Sequence, residues 1–109
     1  MPKSYRPPAD VARIARRALE IRAQQPPSKR AGTPVGVRRA AQLANREPVS
    51  VETLKRMISF FARHERSSGS AAARRNPTSK AAQAWGLWGG NAGRRWAANL
   101  LRTLDQYDD

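Results

Sequence analysis

Trp85-Gly-Leu-Trp-Gly-Gly-Asn-Ala-Gly-Arg-Arg-Trp96 holds all three tryptophans of a 109-residue chain. Gly89-Gly90 is a helix stop, because glycine enters the left-handed backbone region that ends helices. The spacing predicts a short helix from about Ser79 to Trp88, then a last helix over about 92–106 capped by Asn91. Trp96, Ala97, Leu100, Leu101 and Leu104 recur at helical spacing and make the inward face of that last helix. Arg94, Arg95 and Arg102 fall outside it. The rings can be read in two ways. Exposed beside Arg94 and Arg95, they would stack on unpaired bases. Turned inward around the Gly-Gly corner, they would supply most of a small core. Gly86, Gly90 and Gly93 allow the two helices to approach closely, which favours the core reading.

Upstream, Ser50 caps a helix over 51–64, with Glu52 in its positive first turn. Leu54, Met57, Ile58 and Phe61 form its apolar stripe; Lys55, Arg56 and Arg63 lie outside the stripe. Thr33 followed by Pro34 is an N-cap with a first-turn proline. It starts a short helix with Val37, Ala40, Ala41 and Leu43 inward and Arg38, Arg39 and Gln42 outward. The first helix begins near Ala9 or Asp10 and ends at Pro26-Pro27. Val11, Ile14, Ala15, Ala18 and Ile21 share one of its faces; Arg13, Arg16, Arg17 and Glu20 share the other.

The expected fold is therefore all-α. Four or five short helices surround a core of Leu54, Met57, Phe61, Trp85, Trp88, Trp96 and Leu100. Residues 1–8 form an extended N-terminal arm, since Pro2, Pro7 and Pro8 resist helix. Residues 9–106 form one helical domain, and 107–109 an acidic tail. Within the domain, 26–33 read as a flexible basic connection and 66–79 as a mobile basic loop. No strand signal or internal repeat stands out.

Charge narrows the function. The chain carries 21 Lys and Arg against 8 Asp and Glu, a net charge of +13. Seventeen of the bases are arginine, and four doublets stand out: Arg16-Arg17, Arg38-Arg39, Arg74-Arg75 and Arg94-Arg95. Such self-repulsion opposes compact folding and points to a polyanionic partner. Guanidinium pairs with phosphate through two parallel hydrogen bonds and stacks on flat rings. A GC-rich genome would also enrich Arg, Ala and Gly, and leave a passive basic surface. With Arg13, the doublets are the expected nucleic-acid contacts: Arg13, Arg16, Arg17, Arg38, Arg39, Arg74, Arg75, Arg94 and Arg95. Arg13, Arg16 and Arg17 would merge with Arg38 and Arg39 into one patch if the first two helices pack side by side. A helix-turn-helix over the second and third helices is compatible with the joint Asn-Arg-Glu-Pro-Val-Ser, but aromatic residues stand where a recognition helix is usually polar.

Other chemistries find little support. The chain has no cysteine, which removes disulfides, thiolate metal sites and thiol nucleophiles. No apolar run approaches the roughly 20 residues of a membrane span. His64 and Glu65 are the only His–acid neighbours, yet consecutive helical residues do not face each other. No phosphate-cradling glycine loop or nucleophile elbow is present. No catalytic residue, metal ligand or cofactor is expected.

Two segments resemble a small domain encoded by tailed bacteriophages: Ser50-Val-Glu-Thr-Leu-Lys-Arg-Met-Ile-Ser-Phe-Phe-Ala-Arg-His-Glu65 and Ala84-Trp-Gly-Leu-Trp-Gly-Gly-Asn-Ala-Gly-Arg-Arg-Trp96. Tyr5-Arg-Pro-Pro and Gly32-Thr-Pro-Val-Gly-Val are similar to its upstream segments. Asn91 stands where that pattern has an acid, and 66–79 is Ser/Ala/Arg-rich where the pattern has lysine, acids and Gly-Tyr-Pro. The resemblance implies a phage setting, in the virion or the host cytoplasm, beside head-morphogenesis and prohead-protease proteins. Taken with the charge, the expected function is non-enzymatic nucleic-acid binding through Arg–phosphate contacts, with DNA favoured. The alternative is a protein-interaction module that docks on an acidic surface of a phage head or portal component or of a host enzyme.

Overall fold

Ser50 starts the helix on which the core is built. In the computed structural model, which describes residues 3–67 and 69–107, α3 spans Val51–Arg66. The Ser50 hydroxyl accepts from the Thr53 amide at 3.2 Å, and Glu52 sits in the first turn. Leu54, Met57 and Phe61 on its inner face are fully buried. Burial of each contributes roughly 1.5–3 kcal/mol. The helix runs two residues past the expected end at 64.

The fold is all-α. α1 (Ala9–Gln24), α2 (Pro34–Ala44), α5 (Lys80–Leu87) and α6 (Gly90–Tyr107) complete the frame, and α4 (Ser70–Ala73) adds one turn. α1 packs on α2, α5 and α6, while α3 packs mainly on α6. α1 and α5 approach closely because both are small at the contact. A Cβ added at Gly86 would lie 2.8 Å from the Ala18 Cβ. Val11, Ala12, Ala15 and Ala18 line the buried face of α1. α2 lies mainly against α1 and α5; a helix-turn-helix would instead pack it on α3.

The Gly-Gly corner between α5 and α6 needs glycine. Gly89 and Gly90 have φ of +99° and +62°, and a Cβ at Gly93 would press to 2.7 Å from the Trp88 carbonyl oxygen. Asn91 is not the cap expected of it. α6 already begins at Gly90, and the Asn91 side-chain oxygen accepts the Trp85 indole N–H at 2.9 Å. Of the expected core, Leu54, Met57, Phe61 and Trp85 are buried; Trp88, Trp96 and Leu100 are only partly buried against it. Phe60, outside the expected stripe, joins the core.

The segment 26–33, expected as a flexible connection, forms a strap with a 3-10 turn at Pro27–Lys29. The Gln83 amide on α5 is 1% exposed and binds the strap from beneath. Its oxygen accepts from the Ala31 amide at 2.9 Å, and its nitrogen donates to Lys29 O at 3.0 Å and Thr78 O at 2.8 Å. Arg30 donates to Gln25 O and Ala23 O, carbonyls at the end of α1. The loop expected over 66–79 contains α4, and Ser79 both caps α5 and donates to Ala73 O at 2.6 Å.

The N-terminal arm supplies a small strand pair that the sequence reading lacks. β1 (Ser4–Tyr5) pairs antiparallel with β2 (Val49–Ser50), in the register Ser4 to Ser50 and Tyr5 to Val49. Arg46, in the left-handed region at φ +54°, donates to Pro7 O at 2.8 Å and ties the arm to the end of α2. Of the acidic tail, Asp108 and Asp109 lie outside the described residues, as do Met1 and Pro2 of the arm.

Candidate functional site

Adjacent residues on a helix point about 100° apart. Each arginine doublet is split by that rotation or by the turn it sits in. Arg16 donates to Ala44 O at the end of α2, at 2.8 Å, while Arg17 is exposed and reaches Glu20 only at 3.5 Å. Arg39 bonds the Gln42 side chain and lies 5.9 Å from the Trp88 ring centre; Arg38 is exposed. Arg74 donates to the Ser70 hydroxyl at 2.6 Å, and Arg75 is exposed. Arg94 pairs with Glu65 at 2.6 Å, and Arg95 is exposed. One member of each pair thus serves the fold, and the other faces water. Arg13 is exposed as well.

Two of the engaged arginines enclose Trp85. The Arg74 guanidinium carbon is 4.0 Å from the Trp85 ring centre, and that of Arg94 is 5.9 Å away. Phe61 meets the same ring edge-on at 4.7 Å. Trp85 is only 7% exposed and its N–H is bound to Asn91, so it offers a ligand almost no ring surface and no donor.

α5 divides the remaining surface into two grooves. On one side Ala82 and Gly86 join Arg13, Ile14, Arg17 and Ile21 around a shallow groove of about 500 Å³. On the other side Lys80, Ala84 and Trp88 join Arg56, Phe60 and Arg63 of α3 around a groove of about 930 Å³. Both rows follow the spacing that aligns residues on one helix face. Arg30 on the strap closes the rim. α1 packs on α2, as the expected joint patch requires; within that patch Arg16 turns to the end of α2 and Arg39 to Trp88.

The larger groove is lined by Arg30, Arg56, Arg63 and Lys80, and by no carboxylate among the described residues. Sequence reasoning assigned none of these four a role. The available signal was the four- and seven-residue spacing of Arg56, Phe60 and Arg63, which puts two cations and an aromatic residue on one face of α3. Phe60 is the centre of a ring stack, with Trp88 at 5.0 Å and His64 at 4.4 Å.

The local field is positive throughout. Burial, then the charges of Arg56 and Arg38, push the Arg39 guanidinium below its ordinary value. Its Nε is buried and has no hydrogen-bond partner. Burial, then Arg74 and Arg63, hold His64 below its ordinary value, so the imidazole is neutral at pH 7. Glu65 turns away to Arg94, whose hydrogen bond and charge lower its carboxyl. The His64–Glu65 pair therefore does not face itself across a site. Among the described residues no group of three His, Asp or Glu comes together, and no helix is long and apolar enough to cross a membrane.

No family profile, curated protein or solved structure matches the chain.

Proposed function

We propose that this is a non-enzymatic nucleic-acid-binding domain that grips phosphate through its unpaired arginines and lysines. One observation carries the reading. Among the described residues only two ion pairs form, Arg17–Glu20 and Arg94–Glu65, in a chain with 21 basic side chains. The fold stabilises several arginines on carbonyl oxygens and rings, neither of which cancels their charge. Most of the positive charge is left for an external polyanion. Such contacts set affinity and register but read little sequence. DNA is the favoured partner. The resemblance of the Ser50–Glu65 and Ala84–Trp96 segments to the tailed-phage domain supports a setting in a phage virion or its host's cytoplasm.

A filter-binding titration with DNA across a salt series tests this. Each neutralised phosphate contributes about −0.9 to the slope of log affinity against log salt. The expected result is tight binding at low salt and a steep, linear loss as salt rises. No retention of single- or double-stranded DNA at low salt would remove the proposal. Binding of an acidic phage or host protein that survives moderate salt and depends on a few residues would favour a protein-docking module.

A further inference from the structure

The larger groove joins cations to aromatic rings, which a plain basic surface lacks. It is an open groove of about 930 Å³ between α3 and α5. A base that stacks on a ring there must be unpaired, because a duplex keeps its base faces inside its own stack. Arg56, Arg63 and Lys80 are exposed, and their side chains make no hydrogen bond within the described residues, so those donors are open to phosphate. Arg56 and Arg63 stand two turns apart on one face of α3, or roughly 10 Å by the helical rise. Two long, flexible side chains at that separation reach separate phosphates of one backbone.

The ring content points the same way. Trp88 and His64 line the channel, half-buried, each with one face against Phe60. The Trp88 indole N–H carries no hydrogen bond within the described residues, unlike that of Trp85. At the Trp88 end, Arg39 brings a buried Nε without an acceptor into a cluster with Arg38 and Arg56. Arg56 and Arg38 disfavour the Arg39 charge, and no ion pair among the described residues offsets it. Small single-strand binders combine a cationic groove along the backbone with aromatic rings under the bases.

Building on the nucleic-acid reading above, we propose that a single strand lies along the α3–α5 groove, with phosphates on Arg56, Arg63 and Lys80 and unpaired bases against Trp88 and His64. The strand's ends continue over the exposed arginines. The second groove, with Arg13 and Arg17 at its mouth, is a secondary contact at most.

The test compares two double variants of equal charge loss, Arg56→Ala/Arg63→Ala in the groove and Arg13→Ala/Arg17→Ala outside it. All four positions are exposed on helices, where alanine is well tolerated; circular dichroism verifies each fold. Fluorescence anisotropy follows a labelled oligothymidine of about 12 nucleotides, within the usual site sizes, and a hairpin duplex of matched phosphate number. The groove variant is expected to lose roughly tenfold or more in single-strand affinity and about 1.4 from the salt slope, about 0.7 for each lost phosphate contact. The outside variant should stay within about threefold. Oligothymidine should also quench tryptophan emission in the parent and much less in Trp88→Phe. Equal losses in the two double variants, or duplex binding tighter than single-strand binding, overturn the groove assignment and leave nucleic-acid binding standing. Absence of binding by either DNA at low salt overturns both.

Discussion

Trp85 and Trp88 stand three residues apart at the end of α5 and meet arginine in opposite ways. Trp85 is 7% exposed, covered by Arg74 and bound through its N–H to Asn91. Trp88 is half-buried, its N–H is unused, and the nearby Arg39 keeps an orphaned Nε. Around Trp85, arginine acts as a flat, polarisable packing piece whose charge is partly met by Glu65. Along the groove beside Trp88, arginine is left with repelling neighbours and no acid. One residue type therefore holds the scaffold in one place and leaves an open demand for an anion in the other. Counting arginines in the chain overstates the binding surface, because it adds the two roles together.

The largest effect should come from breaking the enclosed side. Trp85→Ala removes a buried ring together with the platform of Arg74 and is expected to cost about 3–5 kcal/mol, read by urea denaturation. Trp88→Ala should cost less, because its ring is only partly buried and its N–H makes no bond within the described residues. Equal losses would erase the distinction between the two tryptophans.

Next in size is the reversal Arg56→Glu/Arg63→Glu. It should abolish most oligonucleotide binding while the melting temperature changes little, since neither side chain bonds within the described fold. Arg74→Ala should do the opposite. It removes a cation over a ring, worth roughly 0.5–2 kcal/mol, and should lower the melting temperature while leaving binding near the parent level. A variant set in which stability and binding fall together would contradict the separation.

A smaller effect sharpens the groove side through pH. His64 faces Phe60 and Trp85, with Arg63 on its own helix and Arg74 from the loop before α5 as the nearby cations. Its folded pKa lies below the unfolded value of about 6.5. The unfolded chain thus binds the proton more readily, and the free protein loses stability as pH falls through the unfolded value towards the folded one. A phosphate beside His64 would favour the charged form, so binding should strengthen over the same fall in pH. His64→Gln should remove both trends, seen as flat profiles of melting temperature and of affinity between pH 7 and about 5. The smallest effect is Glu65→Gln, which breaks an exposed pair with Arg94. Exposed pairs contribute little, and neither the melting temperature nor the affinity should move appreciably.

The helical frame was legible because its signals are local. Ser50 and Thr33 each accept an amide at the start of a helix, as their positions before apolar stripes suggest, and Ser79, read as the start of its helix, caps it. Leu54, Met57 and Phe61 are buried at the spacing that identified them. What escaped depended on partners distant in the chain. Gln83 looks like a polar residue on a short helix, yet it fastens the strap at Lys29 and Ala31. Tyr5 and Val49 are too few residues to announce a strand until they pair. Asn91 reads as a cap until the Trp85 indole takes its oxygen. The doublets drew attention because they are conspicuous in one dimension, but rotation about the helix sends their members to different neighbours. Arg30, Arg56, Arg63 and Lys80 come from three segments, and only packing brings them around one channel.

The most direct test is to follow each arginine separately. Nitrogen-15 NMR of the Nε–Hε groups resolves guanidinium environments while oligothymidine is added at low salt. The account predicts large shifts for Arg56 and Arg63, and small ones for Arg16, Arg74 and Arg22, whose Nε already donates to Ala31 O. Uniform shifts across all of them, or the largest at Arg74, would contradict it.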